Sequence, residues 1–408
     1  MNAPTVQSPS SAVTSGSWVT QTWALFVDAY RELNARKLFW ITLILSLLVV
    51  VAFAFVSIND RGISIFGAQF DNVGWSTKVI PAATFYKFVF TEIAIPWWLG
   101  LIATVLALIS VCSVFPDFIS GGAIDLYLSK PIGRLRLFLT KYVTSLLFVA
   151  LQVFVFALAS FLLIGIKSGA WEFGIFLAVP LVTLFFSYLF CVCVLLGVVT
   201  RSPLASLLVT ILFWLAVFSV HTSEAALLVF KSAKLEQIDE QKQIIARFQD
   251  IVDKNKELAP DKPTANSAWE QQLSNARSSL PEIQKDAEQL TWWHNLIWRI
   301  KAPLPKTTET VDLMSRWLVE KEPLMQANRE SRYASRQRRE ERRAVRGIPA
   351  PPTQPSAEAR FNPEDDQVIE RIQDEMNART AAWLIGSSLA FEAAVLAIAA
   401  WIFCRRDF

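Results

Sequence analysis

Histidine, cysteine and charge are all scarce in this 408-residue chain, and each shortage excludes a class of function. Only two histidines occur, His221 and His294, and neither falls in a metal-ligand pattern, so no resident metal is expected. The same shortage weighs against Ser–His chemistry, and no G-x-S-x-G or H-E-x-x-H motif is present. None of the 14 glycines is followed by lysine, so the chain cannot form a G-x-x-x-x-G-K-[ST] phosphate loop. Neither catalysis nor a bound cofactor is expected. The four cysteines (Cys112, Cys191, Cys193, Cys404) lie in apolar runs or at their ends, which leaves no disulfide framework and reads them as small hydrophobes.

Charged residues make up 18% of the chain against 53% hydrophobic; soluble domains average roughly 25% charged. The 39 Lys and Arg nearly cancel the 36 Asp and Glu, so no net field recruits nucleic acid. The distribution is more telling than the sum. Residues 38–222 hold 15 charged side chains, residues 223–381 hold 51, and the last 27 residues hold four. A greasy body is interrupted by one polar insertion.

A membrane span needs roughly 20 mostly apolar residues. Six segments qualify, at about 38–57, 93–115, 142–166, 173–199, 204–222 and 382–404. An all-α membrane protein with six transmembrane helices is therefore expected. Residues 1–17 are rich in Ser, Thr and Pro, with no Lys or Arg before Arg31. That is not the pattern of a secretory signal, and a disordered tail is expected. Residues 18–37 place Trp23, Phe26, Val27, Tyr30 and Leu33 at helical spacing opposite charged residues, as an interfacial amphipathic helix does. A simple extension of the first span is the other reading.

Lys and Arg in short loops set orientation. Arg31, Arg36 and Lys37 precede the first span; Lys130, Arg134, Arg136 and Lys141 lie between the second and third. Arg201 joins the fourth and fifth, and Arg405 and Arg406 follow the sixth. With six spans all of these fall on one side, so both termini are expected in the cytoplasm and the insertion outside.

Residues 115–141 carry a recognisable pattern. Pro116 stops the second span, Gly121 and Gly122 permit a tight turn, residues 123–129 suit a short helix holding Asp125, and Lys130-Pro131 ends it. By physics alone this is either a docking element or an ordinary re-entry loop. The stretch ISGGAIDLYLSKPIGRLRLFLTKY resembles the segment after the second span in ABC-2 type transporter permeases, and the closing WIFCRRDF resembles their usual ending. The resemblance covers residues 18–222 and 382–408. It departs at Gly121–Gly122–Ala123, where relatives often have a charged residue followed by Gly-Thr, and in the long insertion. The resemblance implies a bacterial inner-membrane subunit that pairs with a second copy or a paralogue and with separate cytoplasmic ATPase subunits. Segment 116–137 would then couple to the ATPase, with Gly121, Gly122, Asp125, Lys130, Pro131 and Arg134 as its contact residues.

In the insertion, 224–258 reads as a charged helix, followed by the breaker 259–265. Trp269, Leu273, Ala276, Leu280, Ile283, Ala287 and Leu290 then form a heptad stripe, which predicts a coiled-coil hairpin, with Pro281 kinking or restarting the second arm. Either this hairpin projects from the membrane or the insertion is a packed helical domain, and 224–298 is a surface for an extracytoplasmic protein. Trp292, Trp293 and Trp298 beside Arg and Lys suit a bilayer interface or a packed core. The arginine-rich run 332–346 reads as a solvated helix, 347–363 as an extended linker, and 364–380 as a helix returning to the last span.

Glu392 is the one acid deep inside a span, and Gln152 lies at a similar depth. A hydrogen bond between spans, a place on a transport path, or a lipid-facing neutral acid are the three readings. Two functions remain: the permease subunit of an ATP-driven transporter, or a non-transporting membrane anchor that passes force through the hairpin.

Overall fold

A computed structural model describes residues 37–71, 75–120, 133–258, 263–320 and 366–405, with scattered positions in 23–31 and 323–338. Six of its helices are long and apolar enough to cross a membrane.

The first, α1 (Lys37–Ala54), leads into a three-stranded antiparallel meander: β1 (Val56–Asn59), β2 (Gly62–Ile65) and β3 (Ala68–Asp71). These strands are not expected from the sequence. Residues Phe66 and Gly67 both have positive φ (50° and 83°), the primed turn whose twist suits a two-residue hairpin loop. Phe55 stacks on Phe66 with ring centroids 5.1 Å apart.

The second apolar helix is longer than the 93–115 expected, running over Ala82–Ile119. It is built from α2 (Ala82–Phe88), a widely wound π-helical stretch (Val89–Ala103), α3 (Thr104–Val111) and α4 (Val114–Ser120). Pro96 inside the wide stretch has no N–H to donate, which explains the departure from regular winding. Then come α5 (Arg134–Ser168), a 3₁₀ turn (Phe173–Leu177) and α6 (Ala178–Thr200). Helix α6 with its leading turn is the centre of the bundle, and 72% of its most apolar stretch is buried. The other helices pack around it, and its Phe186, Tyr188, Phe190 and Cys191 are almost fully enclosed. Cys191 and Cys193 are therefore core-facing.

Helix α7 (Pro203–Leu258) is a single 56-residue helix that carries the fifth apolar run through residue 223 into the insertion. The composition changes there, but the helical period does not. It pairs antiparallel with α8 (Pro263–Lys301), which continues through Pro281 without restarting. Contacts on both sides of that proline hold the helix against α7. Gln241 Nε2 donates to the Ala276 carbonyl (2.9 Å) and to Ser279 (3.0 Å), and Ile238 packs with Ile283 and Ala287. Farther out, Phe248 packs with Leu273 and Ala276. The predicted stripe is thus the face turned to α7. Helix α9 (Thr307–Leu318) lies against α6, α10 (Asp366–Asn377) lies on α7, and α11 (Ala381–Arg405) closes the bundle. Of the N-terminal segment, Trp23, Val27 and Arg31 are described and helical.

The bundle has two ends. The flanks of the 121–132 segment, Arg201 and Arg405 gather at one, called the basic end; α8, α9 and the start of α11 gather at the other, the insertion end.

Candidate functional site

Three places concentrate polar chemistry. At the basic end, residues 121–132 lie outside the described residues, and with them Gly121, Gly122, Asp125, Lys130 and Pro131. Their flanks are described. Pro116 in α4 sits on Gly197 of α6 so closely that a Cβ at Gly197 would lie 3.2 Å from the proline ring. The Phe118 ring meets Phe403 of α11 at 6.4 Å, and Lys141 Nζ lies 5.5 Å above it. Across the gap, Arg134 at the start of α5 donates to the Cys404 carbonyl (3.3 Å), and Phe138 packs on both Phe115 and Phe403. Both flanks are therefore clamped onto α5, α6 and α11.

The second place is deeper, where the same three helices meet again. Glu392 on α11 is buried. One carboxylate oxygen accepts from the Tyr142 hydroxyl of α5 (2.7 Å), the other from Ser187 Oγ of α6 (2.8 Å). Tyr142 also stacks on Phe190 at 5.2 Å, which fixes its ring. Gln152 is not a partner of Glu392. It lines a separate small cavity with Thr42, Ser46 and Thr104, just large enough for about one water, and its amide nitrogen has no protein acceptor. Gln152 lies ten residues, about 15 Å, farther along α5 than Tyr142, so depth in the bundle separates it from Glu392.

The third place, at the insertion end, is an ionic cluster that sequence reasoning missed. Glu224 of α7 accepts from Lys301 of α8 (2.7 Å), lies 3.3 Å from His294 Nε2, and pairs with Arg379 just before α11. Glu309 of α9 bonds to Lys301 and Arg379, each at 2.6 Å. Two acids and two bases from four segments thus form a closed, neutral knot in which Glu224, Lys301 and Glu309 are buried. Burial alone would raise the Glu309 carboxyl, but Lys301 and Arg379 more than offset it and hold it below the usual carboxylate range. Asp312, one turn farther along α9, lacks such compensation. Burial, then the nearby Glu92 and Glu309 carboxylates, push it up to about 7. Lys306 is fully enclosed, its ammonium 4.9 Å over the Trp383 ring, and burial lowers its pKa. One local signal points to the knot: Glu224 is the lone acid between Arg201 and Lys231.

No group of His, Cys, Asp and Glu among the described residues could hold a metal ion. Comparison with protein-family models, curated proteins and solved structures returns no match.

Proposed function

We propose that this chain is the membrane-spanning subunit of an ABC-2 type, ATP-driven transporter, working as an exporter in a bacterial cytoplasmic membrane with both termini in the cytoplasm. One observation carries the reading beyond the sequence resemblance. The flanks of the 121–132 segment are clamped to α5, α6 and α11, and those three helices are tied together again through Glu392. A push on that segment from a cytoplasmic ATPase would reach three spans as one unit. Interiors packed at such density transmit displacement rather than absorb it. Two copies, or this chain with a paralogue, would then alternate the exposure of a path between them or open it laterally to lipid. The energy comes from the ATPase subunits.

The test is uncoupling. Lys130→Glu and Gly122→Trp should leave insertion and assembly intact while ATP turnover no longer drives transport; unchanged coupling in both variants removes the segment from the mechanism. A single cysteine at Ser267 should react with an impermeant maleimide in intact cells once any outer membrane is passed. Labelling only after lysis would place the insertion in the cytoplasm.

A specific observation favours a second reading, a force-transmitting anchor without transport. Helix α7 continues unbroken from the bundle into the hairpin and is locked at its base by the ionic knot. Such an anchor would work through an extracytoplasmic protein bound along 224–298, and would show no substrate-dependent ATP turnover.

A further inference from the structure

The base of the hairpin carries an apolar surface that its own packing leaves uncovered. Trp292, Trp293 and Ile300 on α8 are each more than half exposed, with Leu296, Trp298 and Phe230 also open to the surroundings. A packed core is therefore not what these tryptophans serve. The register of the hairpin fixes their height. Lys301 pairs with Glu224 and Lys234 with Asp286, which sets Trp292 and Trp293 opposite residues 229–232 of α7. Between Arg201 and Lys231 the only charged residue is Glu224, and it is buried in the knot. The apolar length of α7 is thus 203–230, not 204–222. At 1.5 Å per residue those 28 residues span about 42 Å, close to the 40–45 Å of a bilayer with its headgroup regions.

We infer that the surface formed by Trp292, Trp293, Leu296, Trp298, Ile300 and Phe230 is a lipid-binding collar, seated in the phospholipid headgroup region of the leaflet at the insertion end. The inference rests on the reading of the apolar helices as membrane spans, and not on the ATPase partner. Tryptophan suits this partner because its ring is apolar and its N–H needs a polar neighbour, which places it at membrane–water boundaries. Arg299, next to Trp298 in the sequence, is exposed, and a side chain of its length can extend to lipid phosphates. The surface is continuous with the apolar band of the spans: Trp298 stacks on Trp383, in the first turn of α11, at 6.1 Å and 4°. A soluble partner would have no reason to meet a surface that merges into the lipid-facing band.

The test uses the full chain in phosphatidylcholine–phosphatidylglycerol vesicles, with an environment-sensitive nitrobenzoxadiazole dye on a cysteine replacing Trp293 in a cysteine-free background. The dye should be quenched by lipids carrying a nitroxide near the headgroup, less by a nitroxide deep in the acyl chain, and little by aqueous iodide. Two controls accompany it: Leu212→Cys on α7, which the deep nitroxide should quench, and Ser267→Cys near the far end of the hairpin, which iodide should quench. Iodide quenching at 293 without lipid quenching overturns the collar, and so does protection from both, which would mean a protein covers it. If Leu212→Cys also escapes lipid quenching, the membrane-spanning reading fails instead. Should the cysteine-free chain not fold, a second measurement decides. Trp292→Phe/Trp293→Phe in the native background should reduce quenching of tryptophan fluorescence by lipids brominated near the headgroup, and an undiminished signal counts against the collar.

Discussion

Removing the Lys301 ammonium is the sharpest perturbation of the ionic knot. In Lys301→Met two buried carboxylates, Glu224 and Glu309, would share the single guanidinium of Arg379, after losing contacts of 2.7 and 2.6 Å. Breaking a buried ion pair by deleting one partner typically costs about 3–5 kcal/mol, because the other charge stays buried without compensation. Arg379 still bonds both acids, so the low end, about 3 kcal/mol, is the expected loss. Glu309→Gln should also destabilise the protein. The double variant Lys301→Met/Glu309→Gln restores neutrality, and its cost should fall short of the sum of the singles by about 1–3 kcal/mol. Thermal unfolding in mild detergent can be followed by a thiol-reactive dye, since Cys112, Cys191 and Cys193 are buried until the bundle opens. Because the knot is shielded from solvent, added salt should not reproduce the effect of the mutation. An unchanged unfolding temperature in Lys301→Met, or strictly additive singles, would refute the closed, coupled cluster.

Glu392→Leu should cost about 0.6–2 kcal/mol, the range for interhelical polar pairs in membranes; the loss should shrink in a Tyr142→Phe background and stay the same in a Gln152→Leu one. Glu392→Gln should be tolerated, since an amide oxygen still accepts one hydroxyl; impaired transport with normal stability would instead put Glu392 on the transport path. Asp312 titrates higher in the folded protein, about 7, than in the unfolded chain, so its contribution to stability is present at low pH and lost as pH rises towards and through 7. The unfolding temperature should therefore fall between about pH 4 and 7, and Asp312→Asn should flatten that fall; an unaltered slope would exclude Asp312 as its source. Gly197→Leu would drive its side chain into the Pro116 ring and should cost about 1–3 kcal/mol by overpacking, while weakening coupling through the displaced α4; a fully stable, fully coupled variant would contradict the clamp.

Features set by local chemistry are legible in the order of the residues alone. Long apolar runs mark the six apolar helices, and the spacing of Leu273, Ala276, Ile283 and Ala287 marks the face that α8 turns to α7. Boundaries are less legible where two patterns overlap. The drop in hydropathy at residue 223 marks a change of composition, while the helix itself continues from Pro203 to Leu258. Pro281 carries a strong local signal against helix, and tertiary contacts on either side override it. The polar sites are hidden for a different reason. Glu224 and Arg379 are 155 residues apart, and Tyr142 and Glu392 are 250 apart. Depth counted from the ends of two spans assumes that those ends are level; Cys404 meets Arg134 and not Lys141, so the count pairs Glu392 with Gln152 when it lies beside Tyr142. The three short strands between α1 and α2 have four residues each, too few to show alternation against an apolar background.

An accompanying ATPase is the most direct requirement of the transporter reading. Affinity purification of the tagged, full-length protein in mild detergent, followed by mass spectrometry, should recover a stoichiometric subunit bearing the G-x-x-x-x-G-K-[ST] loop that this chain lacks, and the complex should turn over ATP. Recovery of the chain without any such subunit, and without ATP turnover, would contradict the transporter reading and leave the anchor in its place.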